Sequence, residues 1–493
     1  MSNIKQKTIN GMVWSVSERI SLQVIQMLIS IILARLLDPS EFGLIGMLAI
    51  FTSIAQSVLD SGFGSALIQK KDASQTDSSS IFYFNLLIGI LLASLFFFSA
   101  PAISRFYQQP SLTNITRILS LNMIFNAFSL VQLSMLRKHM DFKNHFIVGI
   151  ISVIFSGACS ITAAVLGLGV WSLVIQTLSH SLAQAGSLWL LNNWRPVGKF
   201  SFVSLKSMFS FGSKLLVAGL IETVFKNLYQ TLIGKFYSPS DVGYYSRAST
   251  METAATVTTS MALGQVIFPA FSPYQDDNYT LKQVHAKTIK MSMFLHLPLM
   301  IGLIAIAEPL FLFLLTEKWA NSIPYFQLLC VVGLVYPIQV QNYNMFRIKG
   351  RSDLILKFGI AKHTLIAIAL FLTYRHGITA LIFGQIVVAF ISQLIASYIA
   401  GRLIRYQLFD QIKALIPSAM TTMMMGIGTF FVGKITIESN LLKLSIQILT
   451  GVIIYYTINK VIKSPELTEF ISITQNLFDN LLTKVKGKLW KHH

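Results

Sequence analysis

Residues 35–43 read Arg-Leu-Leu-Asp-Pro-Ser-Glu-Phe-Gly, and residues 235–243 read Lys-Phe-Tyr-Ser-Pro-Ser-Asp-Val-Gly. The basic residue, the Pro-Ser pair, the acidic residue and the final glycine recur in register at an offset of 200. A long apolar segment flanks each copy on both sides. Turn chemistry alone accounts for one such stretch. It does not account for matched register in matched surroundings, so the pattern is an internal repeat of a helix-turn-helix in membrane. Pro39 and Pro239 suit the first position of a helix, where the missing N–H costs no hydrogen bond. Asp38 or Ser40 is placed to cap the first copy.

The surrounding composition fixes the solvent. Of 493 residues, 53% are hydrophobic and only 12% charged, which excludes a water-soluble globular protein of this size. The apolar runs predict an all-α polytopic membrane protein of fourteen spans, at about 12–35, 42–69, 81–101, 114–136, 146–166, 169–191, 208–235, 241–265, 288–315, 322–346, 354–375, 377–401, 412–433 and 441–459. An even number puts both termini on one face. That face carries 26 of the 39 Lys and Arg residues and the other nine, so both termini are expected in the cytoplasm. Lys5 and Lys7 resemble the start of a signal peptide. Glu18 and Arg19 interrupt the stretch that follows, so the first span is expected to be retained.

The net charge of +19 therefore reflects topology, and nucleic acid is not an expected partner. Cys159 and Cys330 sit in apolar spans, which gives neither a disulfide framework nor metal-ligand spacing. The outer loops are short, the longest running from Pro101 to Asn114, and leave no room for an outer catalytic domain. No Gly-x4-Gly-Lys-Ser/Thr loop occurs, so direct use of ATP is not expected. Beyond residue 463, apolar residues from Leu467 to Leu489 recur at helical spacing beside Lys484, Lys486, Lys488, Trp490 and Lys491. Such a tail suits a basic amphipathic helix on an anionic inner leaflet.

Several motifs carry a resemblance. Ala34 to Phe51, with Ser61-Gly62-Phe63-Gly64-Ser65-Ala66-Leu67-Ile68-Gln69, is similar to the opening helix pair of bacterial polysaccharide flippases. The similarity continues through Leu136-Arg137-Lys138-His139-Met140-Asp141-Phe142, Gly167 to Val174, Gly243-Tyr244-Tyr245-Ser246-Arg247-Ala248, Phe268 to Ser272 and Leu315-Thr316-Glu317-Lys318-Trp319. Their order resembles the colanic-acid and teichuronic-acid exporter (Wzx-like) branch of the multidrug/oligosaccharidyl-lipid/polysaccharide (MOP) superfamily, from residue 8 to about 460. The resemblance implies two pseudo-symmetric six-helix lobes, 1–200 and 201–405, an appended pair of spans over 406–463, and the tail 464–493. It implies an undecaprenyl-pyrophosphate-linked oligosaccharide as substrate, a place in surface polysaccharide synthesis, and the bacterial inner membrane as location. A polysaccharide polymerase or assembly complex is the implied protein partner.

Such a cargo needs basic and amide groups facing a wet cavity. Arg19, Gln23, Gln26 and Ser30 share one face of the first span. Glu222, Lys226, Tyr229 and Gln230 form a stripe on the seventh, and positions 22, 26 and 30 map onto 222, 226 and 230 at the repeat offset. Arg19, Lys214, Lys226 and Lys362 are the candidates for the diphosphate. Glu18, Asp60 and Glu222 are the candidates for coupling to a proton or sodium ion; no cofactor is expected. The alternatives to set against these roles are a Glu222–Lys226 pair within one helix, Asp60 as a helix cap or break, Lys214 and Lys362 snorkelling to the interface, and His296 as a satisfied histidine in a kinked helix rather than a proton relay. Three other functions remain open: a multidrug exporter of the same superfamily, a membrane polymerase or ligase, and a non-transporting scaffold for an assembly complex.

Overall fold

The computed structural model describes residues 21–475, apart from 61, 71, 272, 273, 436 and 473. For 207, 210, 211, 214, 215 and 258–271 it describes the helical backbone alone. Arg19, Glu18 and the basic end of the tail thus lie outside the described residues. Helix dominates each of the fourteen predicted segments, and no strand occurs among the described residues. Among them, nine helical rods are long and apolar enough to cross a membrane, or ten if one bent pair counts as a span. The helix over the sixth predicted span, rich in hydroxyl and amide side chains, is not among them, and those over the seventh and eighth include residues outside the described set.

The chain divides into two compact units between Ser246 and Arg247. Unit 1 holds α1 (Ser21–Leu36), α2 (Pro39–Met47), α3 (Ala49–Asp60), α4 (Phe63–Gln69), α5 (Gln75–Tyr107), α6 (Leu112–Leu119), α7 (Leu121–Lys138), α8 (Phe142–Val165), α9 (Trp171–Leu191), α10 (Phe202–Phe236) and the first turns of α11 (Pro239–Phe271). The repeat is visible as matched caps. Asp38, not Ser40, precedes α2, and its N–H donates to Glu41 Oε2 at 2.8 Å. The N–H of Ser238 donates to Asp241 Oδ2 at 3.1 Å, and Asp241 N–H donates back to Ser238 Oγ at 3.2 Å. Both copies thus place proline in the first turn and an acidic side chain three residues after the cap.

The two copies also touch. A β-carbon at Gly43 would fall inside the carbonyl oxygen of Pro239, and one at Gly243 inside that of Pro39. Each glycine admits the other copy's backbone, a reciprocal contact of the kind a two-fold axis generates. The seam continues with the Gln230 amide against Gly46 and Met47 against Gly234. Nearby, Lys235 Nζ donates to Phe106 O at 2.6 Å and lies 4.6 Å above the Phe106 ring. α10 crosses α3, where Ser57 Oγ and Thr223 Oγ1 share a 2.8 Å hydrogen bond. On the far side of α1, Leu22 and Ile29 rest on Gly149 and Gly157 of α8. Small residues that let helices approach replace the hydrophobic drive that lipid cannot supply.

The segment leading into α10 is fastened to the start of α5. Trp194 Nε1 donates to Gln75 Oε1 at 2.9 Å, Val197 N–H to Ser79 Oγ at 2.9 Å, and Ser201 N–H to Ser80 Oγ at 2.8 Å. Lys70 pairs with Asp77 at 2.7 Å, and Lys138 Nζ donates to the carbonyls of Leu67 and Lys70.

Unit 2 contains the rest of α11, α12 (Asn278–Leu315), α13 (Ser322–Gly333), α14 (Tyr336–Ile348), α15 (Ser352–Thr373), α16 (Ile378–Ile404), α17 (Leu408–Gly433) and α18 (Asn440–Val461). A proline inside a helix frees the carbonyl four residues earlier. In unit 2 three such carbonyls are taken by side chains. Tyr455 Oη donates to Phe294 O, freed by Pro298, at 2.7 Å. Gln447 Nε2 donates to Ala305 O, freed by Pro309, at 3.4 Å. His296 Nε2 bonds Gly333 O, freed by Pro337, at 3.0 Å. Two of the three donors come from α18, so the last helix is fitted to the two proline positions of α12. A short helix over 465–472 follows, held by Glu469 to Lys287 at 2.6 Å.

Gly43→Ala should destabilise the protein by about 1–3 kcal/mol, because the methyl group has backbone against it and cannot be absorbed by a side-chain rotation. Gly186→Ala, on α9 with open space around it, should be neutral or stabilising by up to ~1 kcal/mol. Thermal unfolding of the detergent-solubilised variants decides this, and equal melting temperatures would mean the seam is not tight.

Candidate functional site

A polar interior of unit 1 lies where α3, α7 and α9 converge. Thr52, Gln56 and Asp60 follow one face of α3 at four-residue spacing. Facing them are Asn122, Asn126 and Ser129 on α7, with Thr177 and Gln184 on α9. Asn126 Nδ2 donates to Gln56 Oε1 at 3.0 Å, and Gln56 Nε2 donates to Asp60 Oδ1 at 3.1 Å. A cavity of about 240 Å³ lies beside Thr52, Ser53, Asn122 and Thr177. A second, of about 350 Å³, lies beside Asp60, Ser65, Ser129, Arg137 and Gln184. Gln56 lines both. Asp60 ends α3, and the left-handed backbone of Gly62 (φ 71°) turns the chain into α4. It therefore sits both at a helix break and in a polar cavity.

The residues expected from sequence are placed less uniformly. Gln23 and Gln26 are exposed on α1, and Glu222 and Lys226 are exposed on α10. Tyr229 is buried and Gln230 packs on Gly46, so the expected stripe divides. The reason is the seam: the last two turns of α10 belong to the contact with α2. Lys214 falls on α10 with its side chain outside the described residues, and Lys362 is half-buried on α15 in unit 2. Gln56, Asn126 and Gln184 did not stand out, because a single amide in an apolar run is ambiguous until its neighbour is known. Arg137 read as an ordinary loop cation.

Unit 2 adds two charged residues withdrawn from its surface, one buried and one half-buried. Arg247 is buried, with its guanidinium 5.2 Å from the centre of the buried Trp319 ring. That contact joins two of the motifs quoted above. Glu252 accepts from Thr256 Oγ1 at 2.6 Å and packs against Gly333. His296 is fully buried and satisfied by Gly333 O, and the kink it serves is that of α13 and α14.

Helical rods of this length with polar side chains held among them define a multi-pass membrane protein built like the MOP-superfamily transporters. Residues 32–324 match the polysaccharide biosynthesis protein family, and the chain belongs to it. It is 26% identical over 461 residues to the teichuronic acid biosynthesis protein TuaB of Bacillus subtilis, covering 92% of this chain and 95% of that one. It is 27% identical over 338 residues to the succinoglycan biosynthesis transport protein ExoT of Rhizobium meliloti, covering 68% of each. Among solved structures, the lipid II flippase MurJ in its inward closed conformation superimposes with a TM-score of 0.72 over 92% of this chain and 98% of that one. At 13% identity that likeness concerns the fold. The family read from the motifs is thus the family found.

His296→Leu should cost about 1–3 kcal/mol by leaving the Gly333 carbonyl unpaired. Pro337→Ala restores a backbone donor to that carbonyl, so the double variant should regain most of the loss. Melting temperatures of the two single variants and the double variant test it; purely additive losses would break the link between them.

Proposed function

We propose that this protein is an alternating-access flippase that moves undecaprenyl-pyrophosphate-linked oligosaccharide repeat units from the cytoplasmic to the outer leaflet of the bacterial inner membrane. Both termini then lie in the cytoplasm, and the product feeds a surface polysaccharide. The observation that carries this reading is the reciprocal glycine contact. It joins the two repeats through bare backbone at turns expected on the outer face, which is the end that must close while cargo enters from the cytoplasm. A contact made of backbone and held by few side chains is suited to parting and re-forming. The family match and the transport protein among the relatives support the same reading.

In this scheme Arg19, Lys214, Lys226 and Lys362 attract the diphosphate. Gln23 and Gln26 contact the sugars, while Tyr229 and Gln230 act through the seam. Glu18, Asp60 and Glu222 are the groups whose charge or ion occupancy changes with state, driven by protons or sodium. The polymerase that consumes the flipped unit is the natural protein partner. Transport of this kind rearranges no covalent bond, so no catalytic residue is assigned.

In a host deleted for the gene, wild type should restore surface polysaccharide and clear the accumulated diphosphate-linked intermediate. Arg19→Ala and Lys226→Ala should each reduce export by about tenfold, as expected for loss of a charge-assisted hydrogen bond, at unchanged membrane levels. Full export by the double variant would remove these residues from the path. Full export in the deletion, with no second exporter present, would remove the function.

A further inference from the structure

Amides and carboxylates at membrane depth are costly unless they meet partners or water. The tract along α3 is only partly satisfied from within. Gln56 spends one donor on Asp60 and its acceptor on Asn126, and Asn122 Oδ1 is buried without a hydrogen-bond partner. Beside these groups lie the two cavities, the larger of about 350 Å³ and within the roughly 300–1,000 Å³ typical of small-molecule sites. No aromatic side chain lines either cavity among the described residues, which removes the usual means of holding an organic cation. The one carboxylate among the lining residues, Asp60, shares its cavity with one guanidinium, that of Arg137, and the rest of the polar lining is amide and hydroxyl.

A ligand for such a lining is neutral and carries many groups that both donate and accept. Sugar hydroxyls do this, and a primary amide offers them a donor and an acceptor side by side. We propose that the α3–α7–α9 tract of unit 1 is a carbohydrate-binding cleft that holds one or two sugar residues of the cargo oligosaccharide. The assignment rests on the flippase reading and gives it a sugar site separate from the basic residues. Gln56 is the rung between the two cavities, and a sugar passing from one to the other must displace its bonds to Asn126 and Asp60. Asn126 and Gln184 grip the ring hydroxyls.

The test uses the full chain with Cys159 and Cys330 changed to alanine and Ser65→Cys introduced at the exposed cavity wall, reconstituted in nanodiscs. A small charged thiol reagent reports access to residue 65. The free oligosaccharide repeat unit, released from the lipid intermediate by mild acid, should slow labelling severalfold, and the double change Asn126→Leu with Gln184→Leu should abolish that protection. In the deletion host the same double change should reduce export by about tenfold at normal protein level, whereas Gln184→Asn should retain most of it. Unprotected labelling in the otherwise wild-type chain, or wild-type export by the leucine double variant, overturns the cleft while leaving the flippase standing. Protection in nanodiscs together with undiminished export in the gene deletion would instead support the cleft and overturn the flippase.

Discussion

The contact on which unit 1 depends is backbone against backbone, Gly43 to Pro239 and Gly243 to Pro39. In lipid there is no hydrophobic penalty for separating two apolar helices, so close approach and hydrogen bonding must hold them. Two glycines meeting two helix N-termini achieve closer approach than any pair of side chains allows. Everything adjacent follows from that distance. α10 is brought against α2, where Gly46 and Gly234 are bare enough for Gln230 and Met47, and against α3, where two hydroxyls are close enough to bond.

Packing α10 onto α3 in turn decides what α3 offers elsewhere. Gln56 and Ser57 are neighbours in sequence and serve different partners, Ser57 reaching Thr223 on α10 and Gln56 reaching Asn126 on α7. One helix thus contributes a side chain to the seam between the repeats and another to the polar cavities. α3 is in this way shared by the seam and the polar cavities.

How much of this was legible depended on whether the signal was local. The repeat, the capping acid three residues after Asp38 and Ser238, and the helices themselves are written in short windows of sequence. So was the family, because its motifs occur in order along one chain. The role of the polar residues within the spans was not legible in the same way: the Thr177 hydroxyl and the Gln184 amide of α9 belong to cavities that only the fold reveals. Tyr229 and Gln230 show the same limit. Periodicity gives the face of a helix on which a residue lies, but not the height at which another helix crosses it. Gln56 and Asn126 lie 70 residues apart and acquire meaning only as a pair.

Unit 2 meets a related difficulty with different means. Proline in a helix surrounded by lipid leaves a carbonyl with neither water nor an amide to bond, and each such group costs several kilocalories per mole if abandoned. Pro298, Pro309 and Pro337 create three of them, and Tyr455, Gln447 and His296 answer each in turn. The arithmetic was available in the sequence, since the freed carbonyl always lies four residues before the proline, but the donors come from 37 to 161 residues away and could not be matched to it. Because α18 supplies two of the three, α17 and α18 are more than an addition to the helices before them. From α18 come the hydrogen bonds to two carbonyls that prolines leave open within α12.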